Sequence, residues 1–251
     1  MFRAVATAFA FLTRLPVSVR AVTDRDLGRS VAFFPLVGLV LGLAAAGLAY
    51  ALAGHLPSLI IAVIVVTTLA GLTGGLHLDG LADLVDGLGG GRGNRERTLE
   101  IMRDSRIGAH GATALVLLLM AKVAGVMAAL DAGDFAGLLA FPVVARWAVA
   151  PQIVWFPYAR REQDGLGRAF TSEAGGVQLL IATVIVLALA LALVVAMGNA
   201  IPMATGAGVA LAVSLLIAFG VRARLAGLTG DVYGATIEIC ETAALFAAAL
   251  R

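Results

Sequence analysis

Six stretches of this chain, residues 31–54, 56–76, 107–130, 135–159, 174–198 and 200–221, are apolar over long distances. Each reaches the ~20 residues that a helix needs to cross ~30 Å of hydrocarbon at ~1.5 Å per residue. Lipid offers no partner to an unpaired peptide group, and none of these stretches alternates with the period of a strand, so each is expected to be helical. A seventh stretch, 232–250, is long enough to span but carries Glu238 and Glu241. Composition agrees, because 61% apolar against 14% charged residues is more than a soluble fold of 251 residues could bury without a large exposed patch. The expected fold is all-α: a polytopic integral membrane helix bundle of six to seven transmembrane helices with short amphipathic cytoplasmic helices, in one domain over residues 1–251.

Charge sets the orientation. Fifteen of the 18 Lys and Arg residues precede the first stretch, lie between the second and third, or follow the fourth and sixth. The intervening turns, at His55, residues 131–134 and residues 198–199, hold none. By the positive-inside rule the N-terminus and the long polar loops are expected to face the cytoplasm. Residues 4–12 are short for a signal core and are followed by Thr13-Arg14-Leu15-Pro16 where small residues would mark cleavage, so they read as a retained helix at the membrane surface. A net charge of +2 leaves no nucleic-acid footprint, and the one cysteine, Cys240, rules out an internal disulfide.

The densest polar segment lies between residues 76 and 110. Asp79, Asp83 and Asp86 are spaced i, i+4, i+7, within about 60° of arc on a helix face. At an effective dielectric near 20, each pair ~6 Å apart repels by about 3 kcal/mol. No lysine or arginine occurs between Arg29 and Arg92 to offset this. A hard divalent cation would, and all-oxygen ligation points to Mg²⁺ or Mn²⁺. A glycine-rich connector, residues 87–93, matches no phosphate-loop pattern. Residues 96–106 read as a short amphipathic helix that would turn Asp104, a fourth acid, toward the first three, with Arg103 and Arg106 available to clamp phosphate oxygens. His77 and His110 flank the cluster, each open to proton shuttling or to a structural role. Within the spans, Lys122, Arg146, Glu238 and Glu241 are costly in lipid and are expected to face the bundle interior or one another. Asp231 lies two turns before Glu238.

These residues carry a resemblance. Gly74-Gly-Leu-His-Leu-Asp-Gly-Leu-Ala-Asp-Leu-Val-Asp-Gly87, with Ile101-Met-Arg-Asp-Ser-Arg-Ile-Gly-Ala-His-Gly111, resembles the cobalamin synthase (adenosylcobinamide-GDP ribazoletransferase) family. The likeness continues in Phe11-Leu-Thr-Arg-Leu-Pro-Val17, Phe33-Phe-Pro-Leu-Val-Gly38, Tyr158-Ala-Arg160 and Leu228-Thr-Gly-Asp-Val-Tyr-Gly-Ala-Thr-Ile-Glu238. It implies a Mg²⁺-dependent transferase in the inner membrane of a prokaryote. Adenosylcobinamide-GDP and α-ribazole, or its 5′-phosphate, would be its substrates and GMP a product. Under it, Asp79, Asp83, Asp86 and Asp104 are the expected metal ligands, with Asp104 or else His77 as base. Arg103, Arg106, Arg146, Asp231 and Glu238 are the expected substrate contacts. A homo-oligomer is possible.

Asp83-x-x-Asp86-Gly87 also resembles the start of the CDP-alcohol phosphotransferase motif, but the Ala-Arg that should follow is absent and Gly108 stands where the last aspartate would lie. A lipid-headgroup enzyme of that kind, and a cation- or proton-coupled transporter using Lys122, Arg146, Glu238 and Glu241, are the competing readings.

Overall fold

The computed structural model describes residues 1–160, 167–199 and 201–250, and among these the chain is helical with one isolated bridge, Tyr158 to Leu228. Helix α1 (Phe2–Leu12) turns Ala4, Ala8 and Leu12 inward. Helix α2 (Asp24–Ser30) starts at a capping box in which Thr23 and Asp26 satisfy each other's backbone N–H groups. It runs through a 3₁₀ turn (Val31–Phe33) into α3 (Phe34–Leu52), one 29-residue apolar span from Asp24 to Leu52. Then come α4 (Ser58–Thr73), α5 (Leu76–Gly90), α6 (Arg95–Ile101) and α7 (Ala109–Asp131). Helices α8 (Phe135–Ala148) and α9 (Ala150–Trp155) make one span, followed by α10 (Gly167–Glu173), α11 (Gly176–Met197), α12 (Ile201–Leu225) and α13 (Gly230–Ala249).

Six of these segments are long and apolar enough to cross a membrane: Asp24–Leu52, α7, Phe135–Trp155, α11, α12 and α13. The chain is a multi-pass membrane protein. Two stretches differ from their sequence reading. The second, expected to span over 56–76, is helical only as α4, whose 16 residues cover ~24 Å. Gly74 and Gly75, at φ of 62° and 71°, adopt the left-handed conformation open to glycine. There the chain turns by 89° into α5, which packs against α13, α7 and α6. The seventh stretch, doubtful because of its two glutamates, is the helix α13 at the bundle's centre, packed against α5, α7, α8 and α12 and buried along most of its length.

Internal pairing makes that burial possible. Lys122 Nζ on α7 donates to Glu238 Oε2 and, at 2.6 Å, to Glu241 Oε2. Arg146 Nη1 on α8 donates to Glu241 Oε1 and, at 3.1 Å, to the Pro142 carbonyl. All four side chains are almost fully buried. Two cations face two carboxylates, so the quartet is neutral where an isolated charge would be costly. Arg146 and Glu238 were expected to contact substrate; here their hydrogen bonds go to Glu241 and the Pro142 carbonyl and to Lys122 respectively, and the void they border measures about 10 Å³.

Candidate active site

Beyond the turn at Gly74 and Gly75, α5 packs against α7 and α13. Close approach is possible because residue 80 is glycine: a β-carbon there would lie 2.7 Å from the Asp231 carbonyl oxygen. Asp79 and Asp83 on α5 are thus set beside Asp231 in the first turn of α13.

The three aspartates expected to act together meet three environments. Asp79 is exposed, Asp83 half-buried and Asp86 buried. Asp86 Oδ2 accepts the Gly108 N–H at 2.7 Å and its Oδ1 the Gly111 N–H at 2.8 Å, so the carboxylate caps the positive end of α7. The sequence placed it among metal ligands; in the structure both oxygens are engaged by backbone. Asp86→Ala is expected to cost about 1–3 kcal/mol, the penalty of leaving buried N–H groups unpaired, read as a lower Tm in detergent. An unchanged Tm would show that the cap contributes nothing.

No hydrogen bond or ion pair among the described residues reaches the carboxylates of Asp79 and Asp83. Burial, and then the negative charges of Asp79 and Asp231, push the Asp83 carboxyl up to about 7, with Arg160 opposing. Asp231 itself is held: its Oδ2 accepts from Arg160 Nη2 at 2.6 Å and from Thr229 Oγ1 at 3.2 Å. Arg160 Nε is buried and has no partner among the described residues.

Helix α6 ends at Ile101, short of the expected 106. Glu100 consequently pairs with Arg97 at 2.8 Å, and Asp104 lies beyond the helix. Asp104 is gripped locally by Arg106, whose Nε reaches Oδ1 at 3.0 Å and Nη2 reaches Oδ2 at 2.6 Å. That guanidinium draws the Asp104 carboxyl down to about 2, which makes it a poor proton acceptor. The four-carboxylate cluster expected from sequence is not assembled, and among the described residues no three His, Cys, Asp or Glu converge as a metal cage. His77, the other candidate base, is buried; desolvation first, and then the Arg146 charge, push it down to about 3, so its ring is neutral.

Three spaces meet at this surface. A cleft of about 370 Å³ is bordered by Arg14, Gly75, Asp79, Asp83 and Arg106. A second, about 350 Å³, is bordered by Arg95, Glu100, Arg103 and Arg160. A narrower cavity of about 230 Å³ runs inward between α1, α5, α9 and α13. Asp79 borders the first and third spaces, and Arg160 the second and third. Arg160 is the residue that sequence reasoning underrated, counting it as one more loop arginine. Its only signal was its place in Tyr158-Ala-Arg160.

The donor set suits a hard cation. Mg²⁺ is usually held by one or two carboxylates, several waters and substrate phosphates, without an all-protein cage. Asp79 and Asp83, without a partner among the described residues and bordering a cleft with Arg14 and Arg106, fit that mode.

Comparison with known proteins agrees with the sequence resemblance. The family model for cobalamin-5-phosphate synthase matches residues 4–249. An adenosylcobinamide-GDP ribazoletransferase of Syntrophobacter fumaroxidans is 45% identical over 99% of both chains. Proteins of the same name are 38% identical in Desulforamulus reducens, over 98% of this chain and 96% of the relative, and 40% in Geotalea daltonii, over 94% and 92%. No solved structure matches. A helical membrane bundle with this aspartate-and-arginine surface, matched from end to end, belongs to the cobalamin-5-phosphate synthase family of transferases.

Proposed function

We propose that this enzyme joins α-ribazole, or its 5′-phosphate, to adenosylcobinamide-GDP at the surface built by α5, the loop after α6, and the first turn of α13. A ribazole hydroxyl oxygen bonds to the phosphorus bearing the cobinamide arm, the bond from that phosphorus to the GMP oxygen breaks, GMP leaves and the hydroxyl proton is released. The observation that carries this is the pair of carboxylates, Asp79 and Asp83, which have no partner among the described residues and border a cleft with Arg14 and Arg106, while Arg160 meets Asp79 across the inner cavity and lines the adjacent cleft with Arg103. A diphosphate brings negative charge, and its displacement needs that charge neutralised and the reacting atoms aligned, with little covalent work by the protein.

Asp79 and Asp83 would hold Mg²⁺, which when bound neutralises charge developing on the departing GMP. The chain's own groups do the remainder. Arg106 releases Asp104 when phosphate oxygens take its place, since an exposed ion pair is worth only about 0–1 kcal/mol. Asp104, once freed, would be a further carboxylate available to help hold the cation. Arg160, fixed by Asp231, presents its guanidinium to both the second cleft and the inner cavity. The surface carrying these arginines is the cytoplasmic one, in the inner membrane of a prokaryote, with the N-terminus on the same side.

Detergent-purified protein given both substrates and Mg²⁺ is expected to release GMP, and EDTA to stop it. Full-speed release in EDTA would end the metal assignment. CMP released from a CDP-alcohol, with no GMP from adenosylcobinamide-GDP, would overturn the reaction in favour of a lipid-headgroup transfer.

A further inference from the structure

The inner cavity has features that the reaction surface does not explain. It runs from Asp79 and Arg160 into the bundle and measures about 230 Å³. That is room for one flat bicyclic ring and part of a sugar, and too little for a corrin macrocycle. Its walls are aromatic and aliphatic. Phe170 packs at 4.7 Å from Phe11 and 5.8 Å from Phe34, ring centre to ring centre, and all three border the space with Val149, Ile153 and Ile237. Two polar side chains lining it, His77 and Tyr233, are more than nine-tenths buried, and among the described residues neither the two ring nitrogens of His77 nor the Tyr233 hydroxyl has a hydrogen-bond partner. Buried polar groups are normally satisfied, and an apolar slot with a few unsatisfied donors is the usual form of a site for a heteroaromatic ligand.

We propose that this cavity is the acceptor subsite: it takes the flat nitrogen-containing base of α-ribazole edge-on, between the Phe11–Phe34–Phe170 cluster and the His77–Tyr233 wall. The O–H of Tyr233 donates to the unsubstituted ring nitrogen, His77 stands beside it on the same side of the cavity, and the phenylalanines contact the ring faces. The ribose then lies at the mouth, where Asp79 and Arg160 border both the cavity and the clefts. Nucleotide and corrinoid keep to the open, arginine-lined side. This subsite rests on the acceptor identity proposed above, and it makes the two substrates bind independently.

The test uses the full chain in detergent and EDTA. Equilibrium dialysis measures binding of α-ribazole and of its free base, dimethylbenzimidazole, with and without excess GDP. Both ligands are expected to bind saturably and GDP not to displace them. Val149→Phe, which fills the cavity from the α8–α9 junction, should weaken both by tenfold or more. Tyr233→Phe, which keeps the shape and removes the hydroxyl, should weaken them by about fivefold to tenfold, the worth of one hydrogen bond. In turnover assays the KM for α-ribazole should rise in step, while that for adenosylcobinamide-GDP stays within about twofold. No saturable binding of the base, or dissociation constants unmoved by both variants, overturns the subsite. GMP release from both substrates with an unmoved α-ribazole KM overturns it as well. Base binding that the variants weaken, in a protein that never releases GMP, upholds the subsite and overturns the reaction instead. Tyr233→Phe keeps the experiment decisive if Val149→Phe does not fold.

Discussion

Asp83→Asn is expected to reduce GMP release by about a thousandfold while the protein stays folded. Asp83 is the half-buried member of the carboxylate pair, and an amide there keeps the shape but removes the charge that holds the cation. Loss of one preorganised electrostatic contact commonly costs ~10²–10³ in rate, and here the metal's contribution goes with it. The same substitution should stabilise the metal-free protein, with a sign that pH reveals. The Asp83 carboxyl sits near 7 in the folded chain, above its usual value. Folding therefore disfavours the ionised form, and the cost appears as pH rises from the unfolded value toward 7, remaining above it. In EDTA, Asp83→Asn should raise Tm at pH 8 and leave it nearly unchanged at pH 4. Near-normal GMP release from the folded variant would refute the site; a lower Tm at pH 8 would refute the electrostatic reading.

Glu241→Ala should be the most damaging single change for the fold. Glu241 accepts from both Lys122 and Arg146, so its loss leaves Arg146 with only the Pro142 carbonyl and Lys122 with one carboxylate. Removing one partner from a buried ion cluster typically costs about 3–5 kcal/mol, a large share of the stability of an ordinary domain. The expected result is poor recovery of monodisperse protein and a much lower Tm in detergent. Replacing Arg146 by Met in the same chain as Glu241→Gln keeps the Lys122–Glu238 pair and restores neutrality, so it should recover most of the loss. Equal damage from the single and the double variant would mean that neutrality is not what the quartet supplies.

How the sequence met the structure depended on the range of the forces involved. Hydrophobicity along a helix is a local property, and residues 107–130, 174–198 and 200–221 became α7, α11 and α12 with ends shifted by a few residues. Composition could not weigh Gly74-Gly75, whose left-handed pair stops α4 short and turns α5 aside. Glu238 and Glu241 were expected to face the interior or Lys122 and Arg146, as they do, but which cation meets which carboxylate was not legible, because the partners stand about a hundred residues away. In the site, the one-face spacing of Asp79, Asp83 and Asp86 was legible, since α5 is a helix across all three. Their separate fates were not: Asp86 is claimed by the end of α7, an encounter set by tertiary packing. Asp104 was misplaced for a smaller reason, a helix ending at Ile101 that let Arg106 capture it two residues on. Asp231 and Arg160 meet across 71 residues, a pairing visible only in three dimensions.

The charge quartet also bears on biogenesis. A helix with two carboxylates near its middle partitions poorly from the translocon into lipid by itself, at a cost of about 2–3 kcal/mol for each charge. The counter-charges of α13 lie on α7 and α8, both made earlier on the ribosome. Helix α13, whose counter-charges are synthesised before it, is therefore expected to dock only after α7 and α8 are in place, and in docking it forms one wall of the inner cavity.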